Sequence, residues 1–238
     1  MNQIPIQVFL LPVIAIVAVA YMLWSRKRIG QAQDQQFSSY RAGELAQRLG
    51  LQLVAGDPNF NLFIRNANVD VQRGPSDGKP VHIEIRMQGA PNGVPLELVY
   101  LYRVERESDF TTITWRTWFD CRMSAQAARP FPPFELISRS APLGPIAQTQ
   151  PLPPLSTGNA SADATYLVAS AEPGVAQLLG QAAAGFAPFA NSGVHLVGDG
   201  QKVSFVMKQD KAPLLANALY YAENMSQQLS ELARRLGG

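Results

Sequence analysis

The sequence predicts an α+β protein in which an N-terminal transmembrane helix precedes a soluble domain of mainly antiparallel sheet covered by helices. Three patterns predict this class: a long uncharged apolar run near the N-terminus, alternating apolar and polar residues in the middle of the chain, and helical spacing of apolar residues at the end. The chain has 238 residues, of which 47% are hydrophobic and 16% charged. That composition is typical of a folded protein and not of a disordered one.

The run Ile4–Trp24 contains no charged residue and is the predicted membrane span. At about 1.5 Å per residue it is roughly 31 Å long, which matches a hydrocarbon core of about 30 Å. A signal peptide is less favoured, because no Lys or Arg precedes the run and Met22–Ser25 is a poor cleavage site.

Basic residues flank this run on one side only, at Arg26, Lys27 and Arg28. Positively charged flanks remain in the cytoplasm, so we expect a single-pass protein of the plasma (inner) membrane with its N-terminus outside and its C-terminal domain cytoplasmic. Tyr21 and Trp24 fall where an interfacial aromatic belt is expected. Together with the three cations they are the predicted membrane-surface residues, and the cations are expected to attract anionic lipid headgroups.

One face of the span is predicted to pack laterally against other integral membrane subunits. Helices in lipid associate through close contact at small residues and through polar groups. The predicted packing residues are Gln7, Leu11, Pro12, Ala15, Ala18 and Met22. A plain tether, in which these residues are incidental, is the alternative.

Changes in composition divide the chain into five segments. They are an anchor with its basic flank (1–28), a linker (29–36), a first α+β subdomain (37–139), a proline-rich loop (140–158) and a second α+β subdomain (159–238). Prolines cluster at the seam, with eight of them between residues 129 and 158. The middle of this stretch has few charges, so it is expected to be extended.

The first subdomain is predicted to begin with a helix that starts at Phe37, carries apolar residues at Ala42, Leu45, Ala46 and Leu49, and is closed by Gly50. Three strands follow, over 81–88, 96–104 and 111–122. In the second strand Leu96, Leu98, Tyr100, Tyr102 and Val104 share one face. The short connections predict antiparallel pairing.

The second subdomain is predicted to contain a strand over 166–168, a helix over 173–184 and a hairpin of 194–197 with 202–207. The final helix, over 211–236, repeats apolar residues at three- and four-residue spacing. That stripe is expected to cover the sheet; a coiled-coil seam is the alternative.

The residues capable of chemistry form no recognisable catalytic, cofactor or metal site. His82 and His195 have no metal-ligand spacing to other candidates, Cys121 lies in a strand-like run, and Asp57, Asp70 and Asp77 fall in turns. We therefore predict no catalytic, cofactor-binding or metal-binding residues, and no enzyme. The net charge of +2 gives no basic surface for nucleic acid.

Several segments resemble a class of uncharacterised actinobacterial membrane-anchored proteins. They are Leu49–Leu51 with Gly56–Pro58, then Trp115–Arg122, and then Pro132–Glu135. The layout also resembles the single-pass accessory subunits of the Mce lipid-import machinery, of the lipid uptake coordinator type. The resemblance implies a membrane-associated role in lipid transport and no reaction.

Taken together, these patterns predict a non-enzymatic accessory or scaffold subunit of a membrane protein complex. The alternative is a lipid- or ligand-binding module on the cytoplasmic side, with a pocket between sheet and helices. A large apolar cavity would favour the binding module, and a filled core with an exposed apolar patch would favour the scaffold.

Overall fold

A computed structural model describes residues 21, 41–62, 79, 81–108, 113–139, 148–188, 194–209 and 222–238, without the side chains of 105, 107–108, 113–119 and 207–209. Residues Tyr40–Gly238 form one compact unit and Met1–Ser39 another. The predicted span lies outside the described residues apart from Tyr21, which is helical and 65% exposed. Among the described residues, no helix is both long and apolar enough to cross a membrane.

The larger unit is built on one antiparallel sheet of eight strands in the order β1-β2-β3-β4-β8-β7-β5-β6. The strands are β1 (Gln52–Ala55), β2 (Val81–Gly89), β3 (Leu96–Ser108), β4 (Ile113–Gln126), β5 (Phe134–Ser138), β6 (Tyr166–Ser170), β7 (His195–Gly198) and β8 (Lys202–Gln209). The predicted α+β class with an antiparallel sheet is therefore confirmed. Strands from both sides of the proline-rich segment join this one sheet, because β4 pairs with β8 along its C-terminal half.

Alternation along the central strands sets which face is buried. On β3 the predicted apolar face is buried from Leu96 to Val104, while Val99 and Leu101 on the other face are only half-buried. The pairing register continues this buried face through Met87, Met123, Phe205, Leu196 and Leu136 on the neighbouring strands. Each of these side chains contributes about 1.5–3 kcal/mol by leaving water.

The helices contribute to the core on this buried face. The described helices are α1 (Ala42–Arg48), α2 (Ala160–Thr165), α3 (Pro173–Phe186) and α4 (Ala222–Gly237). Gly50 follows α1 with a φ of 66°, which is the left-handed conformation that closes a helix. Along α4, Ala222, Met225, Leu229 and Leu232 are buried in the core, so the described part of the predicted apolar stripe covers the sheet. Residues 211–221 of the predicted helix lie outside the described residues.

Both edges of the sheet are protected against pairing with other chains. At one edge, β1 has only four residues and carries a bulge, in which Val54 has no partner on β2 and is 58% exposed. At the other edge, the segment around residues 153–155 pairs with β6. In this pairing Leu155 N–H donates to Val168 O, and Ser170 N–H donates to Pro153 O.

The segment between β4 and β6 differs most from the sequence-based expectation. Phe134–Ser138, which was assigned to no element, is the fully buried strand β5. Phe131, which precedes the strand, is also buried, and the centre of its ring lies 5.9 Å from that of Phe134. A strand buried on both faces has no alternation, which explains why the period-two pattern did not find it.

Candidate functional site

A carboxylate is completely buried in the middle of β5. Phe134 and Leu136 face the helices, so the intervening Glu135 points to the opposite side of the sheet. Its exposed fraction is 0%. A buried charge is costly unless it is paired and hydrogen-bonded, so the groups around this carboxylate decide what the site can do.

Residues 148–157, hereafter the strap, supply most of the partners of Glu135. The backbone N–H of Thr149 lies 2.9 Å from Oε1 and 3.0 Å from Oε2, and its hydroxyl donates to Oε1 at 2.6 Å. The backbone N–H of Gln150 also donates to Oε1. Hydrogen bonds to a charged acceptor are stronger than neutral ones, so the carboxylate holds the strap against the sheet.

His195 on the adjacent strand β7 completes the surroundings of Glu135. Its Nε2 lies 3.3 Å from Glu135 Oε2, and the residue is 8% exposed. A carboxylate offers about four lone-pair sites, and four donor groups surround this one. Glu135 and His195 therefore form a structural clamp, hereafter the clamp. The strap and the imidazole already use the hydrogen-bond acceptor capacity of the carboxylate.

Beyond the clamp, the strap continues along the edge of β6 and ends against α2 and α3. The Asp163 carboxylate accepts the Ser156 hydroxyl at 2.6 Å and the Thr157 N–H at 2.9 Å, and these bonds lower the pKa of Asp163. Thr157 packs so closely on α3 that a Cβ at Gly180 would lie 2.5 Å from its Cβ. The strap is thus fixed at both ends.

The face of β2, β3, β4 and β8 that points away from the helical side, hereafter the open face, is covered by none of the described helices. It is mostly polar. One row of paired residues across it contains Gln88, Glu97, Ser124 and Ser204. The amide of Gln88 donates to Glu97 at 2.7 Å, and the hydroxyls of Ser124 and Ser204 lie 2.8 Å apart.

A shallow depression of about 290 Å³ lies at one end of the open face. Its lining includes Gln88, Glu97, Ser124, Gln126 and Lys202. The lining has one cation, one carboxylate and several groups that both donate and accept hydrogen bonds. Gly89, Pro95 and Leu96 also line it, so the depression offers both polar and apolar contacts and suits a small ligand that carries polar groups.

The residues predicted to contact the membrane lie almost entirely outside the described residues. This applies to all six predicted packing positions and to Trp24, Arg26, Lys27 and Arg28. Tyr21, the one described member of the set, is exposed. The predicted roles of these residues therefore stay predictions.

The candidate reactive residues have ordinary structural positions. Cys121 is buried on the helical side of β4, and burial, followed by the nearby Asp120 charge, raises its pKa to about 12. His82 is exposed on β2, and Asp57 lies in a turn where it accepts the Asn59 N–H at 2.9 Å. Among the described residues no group of three or more His, Cys, Asp or Glu side chains could hold a metal ion. Asp70 and Asp77 lie outside them.

The sequence identified His195 as a candidate but missed its partner Glu135. The available signal was a single acidic residue inside the apolar run Phe134–Ile137, in a segment without alternation. Pairing the two residues requires the register between β5 and β7, in which Ile137 lies opposite His195. The clamp could therefore not be predicted from local pattern.

Comparisons with known proteins find little. No family model matches the chain, and no curated protein sequence matches it. Among solved structures, the crystal structure of the mycobacterial trehalose monomycolate transport factor A, TtfA, is similar with a TM-score of 0.45 and 12% sequence identity. The alignment covers 82% of this chain and 94% of that one.

Proposed function

We propose that this chain is a membrane-anchored, non-enzymatic accessory or scaffold subunit of a membrane protein complex, of the lipid-transporting Mce type. The helix Ile4–Trp24 spans the plasma membrane, and the α+β unit works on its cytoplasmic side. The observation that carries the proposal is the division of the sheet into two unlike faces. The face towards the helices is filled with side chains, and the open face presents charged and polar groups to solvent.

A filled core favours a surface-presenting protein over a carrier. The largest described core side chains, among them Tyr100, Phe134 and Phe186, are less than 2% exposed and pack in one continuous cluster with the helices. A carrier for an acyl chain needs an apolar cavity of several hundred Å³. The depression on the open face, at about 290 Å³, is smaller, and its lining is polar and apolar in similar parts.

The anchor supplies the lateral contacts in this proposal. Ala15 and Ala18 permit close approach of a neighbouring helix, Gln7 gains a polar partner in protein that lipid does not offer, and Pro12 bends the helix to fit. Arg26, Lys27 and Arg28 hold anionic headgroups at the cytoplasmic surface.

The assignment as a non-enzyme rests on how the reactive groups are used. Cys121 is buried with a raised pKa, and thiol reactivity depends on the thiolate. His195 and Glu135 are engaged with each other and with the strap. Replacing His82, His195 and Cys121 together should therefore preserve function wherever the fold survives.

A polar-ligand module is the second candidate, and the depression beside Lys202 is the observation that favours it. In that case the ligand would contact Glu97 and Lys202, and substituting both with alanine would abolish function without changing which proteins co-purify.

Purification from membranes tests the scaffold proposal. The tagged full-length chain, extracted in mild detergent, should retain integral membrane partners that are identified by mass spectrometry. Exchange of Met1–Trp24 for an unrelated helix of equal length, with Arg26–Arg28 kept, should release them while the protein stays membrane-bound. Ala15→Leu with Ala18→Leu should weaken recovery on steric grounds, and Leu10→Ala with Val13→Ala is the matched control. Full recovery of partners after the exchange would contradict the role of the anchor.

A further inference from the structure

Two neighbouring rows on the open face carry opposite charges on β2 and β4. The first row runs from Arg86 on β2 through Val99 on β3 and Arg122 on β4 to Val206 on β8. The second row, two residues away along each strand, runs from Glu84 through Leu101 and Asp120 to Lys208. Both rows lie on the same side of the sheet, because residues at positions i and i+2 of a strand share a face.

The two rows therefore match each other on β2, β3 and β4, whereas on β8 Val206 of the first row lies beside Lys208 of the second. On β2 and β4 a cation in the first row lies beside an anion in the second, and on β3 both positions are apolar and half-buried. Arg86 and Glu84 already form an ion pair at 2.7 Å within their strand. Arg122 is exposed and has no ion pair or side-chain hydrogen bond among the described side chains. Asp120 has none among them either, but it lies opposite Lys208 of β8, whose side chain is not described.

We propose that the open face binds the same face of a second copy of this chain, in a two-fold symmetric dimer. A two-fold axis that lies between the rows and runs parallel to them places the first row of one copy on the second row of the other. Arg122 then meets the partner's Asp120, and Val99 meets the partner's Leu101. Each contact occurs twice, as an isologous interface requires.

Charge complementarity is the reason to choose a second copy as the occupant. Placing the rows in register across the axis puts each charge of β2 and β4 opposite its complement and Val99 opposite Leu101, and it places Val206 opposite Lys208. Sheets pack face to face at about 10 Å and with their strands crossing at about 30°, so the best contacts lie near the centre of the face. Residues of β3 and β4 occupy that centre.

Charge reversal tests this geometry in the full-length chain in mild detergent micelles, with mass measured by light scattering over a range of protein concentrations. The wild type should be dimeric. Arg122→Asp places two carboxylates opposite each other at both sites, and Asp120→Arg does the same with two cations. Each variant alone should raise the dimer Kd by at least about tenfold. The matched controls, Arg129→Asp and Glu172→Arg, change exposed charges outside the two rows and should leave the Kd unchanged.

Mixing the two reversed variants provides the decisive result. An Arg122→Asp copy and an Asp120→Arg copy are complementary at both sites, so with tags of different mass they should form a heterodimer although neither forms a homodimer. Unchanged thermal unfolding of each variant shows that the fold is intact. A monomeric wild type, loss of dimer in the controls, or failure of the mixture to associate would overturn the proposal. Because these variants leave the anchor intact, their outcome is independent of the partner recovery that tests the proposed function.

Discussion

At the scale of single residues, Glu135 explains why the proline-rich strap lies on the sheet and not in solvent. Its carboxylate accepts from Thr149, Gln150 and His195, three residues from two separate parts of the chain. A neutral amide has the same shape, but its NH2 group faces donors instead of accepting from them. We therefore expect Glu135→Gln to lower the free energy of unfolding by about 1–3 kcal/mol.

Denaturant unfolding of the full-length chain, followed by fluorescence, measures that change. Glu172→Gln makes the same chemical substitution at an exposed position and should stay within about 0.5 kcal/mol of the wild type. Faster hydrogen exchange at the Thr149 amide would localise the effect to the strap. Equal stability of Glu135→Gln and wild type would show that the carboxylate does not hold the strap.

Cys121 provides a second test at this scale. Because burial raises its pKa to about 12, the group is almost entirely the neutral thiol at neutral and mildly alkaline pH. We expect no reaction with a thiol reagent in the native protein and full reaction after denaturation. A cysteine at an exposed position after β4, as Arg129→Cys, should react rapidly and gives the positive control. Native labelling at Cys121 itself would show that this part of the core opens.

At the scale of elements, α4 closes the core over β4 and β8. Leu229 lies on the face of α4 that points to the sheet, and its side chain is fully buried. Leu229→Ala should cost about 2–5 kcal/mol of unfolding free energy, because it leaves a cavity in a packed core. Gln227→Ala changes an exposed residue of the same helix and should have little effect. If the stripe were instead a seam between copies, Leu229→Ala would change the oligomeric state and leave the unfolding midpoint of the monomer unaltered.

Elements with a clear period were predictable from the sequence, and elements without one were not. The region 81–88 shows strict alternation and became β2. The region 96–104 has an apolar residue at every second position and became β3, with Leu96–Val104 buried on the predicted face. β5 escaped prediction because both of its faces are covered, one by helices and one by the strap. β1 was not predicted because it has only four residues and a bulge, and the bulge interrupts the alternation of side chains along the strand.

At the scale of the whole molecule, the strand order could not be read from the sequence. Pairing of β4 with β8 joins Ser124 to Ser204, residues that are 80 positions apart, and only tertiary packing selects that partner. The same long-range pairing creates the open face, because it places Arg122 of β4 beside Val206 of β8. The clamp likewise depends on the pairing of β5 with β7, two strands that are distant in the sequence. Local patterns could therefore supply the class of the fold and the anchor hypothesis, but not the site.

The central claim is that an N-terminal helix holds this domain at the cytoplasmic side of the membrane, and a pair of reporters fused after Gly238 tests it most directly. Positive charge at Arg26–Arg28 predicts that a reporter active only in the cytoplasm is active and that an export-dependent reporter is silent. Moving the three cations in front of Ile4 should reverse both signals, which serves as the matched control. An active export-dependent reporter on the unaltered chain would contradict the account.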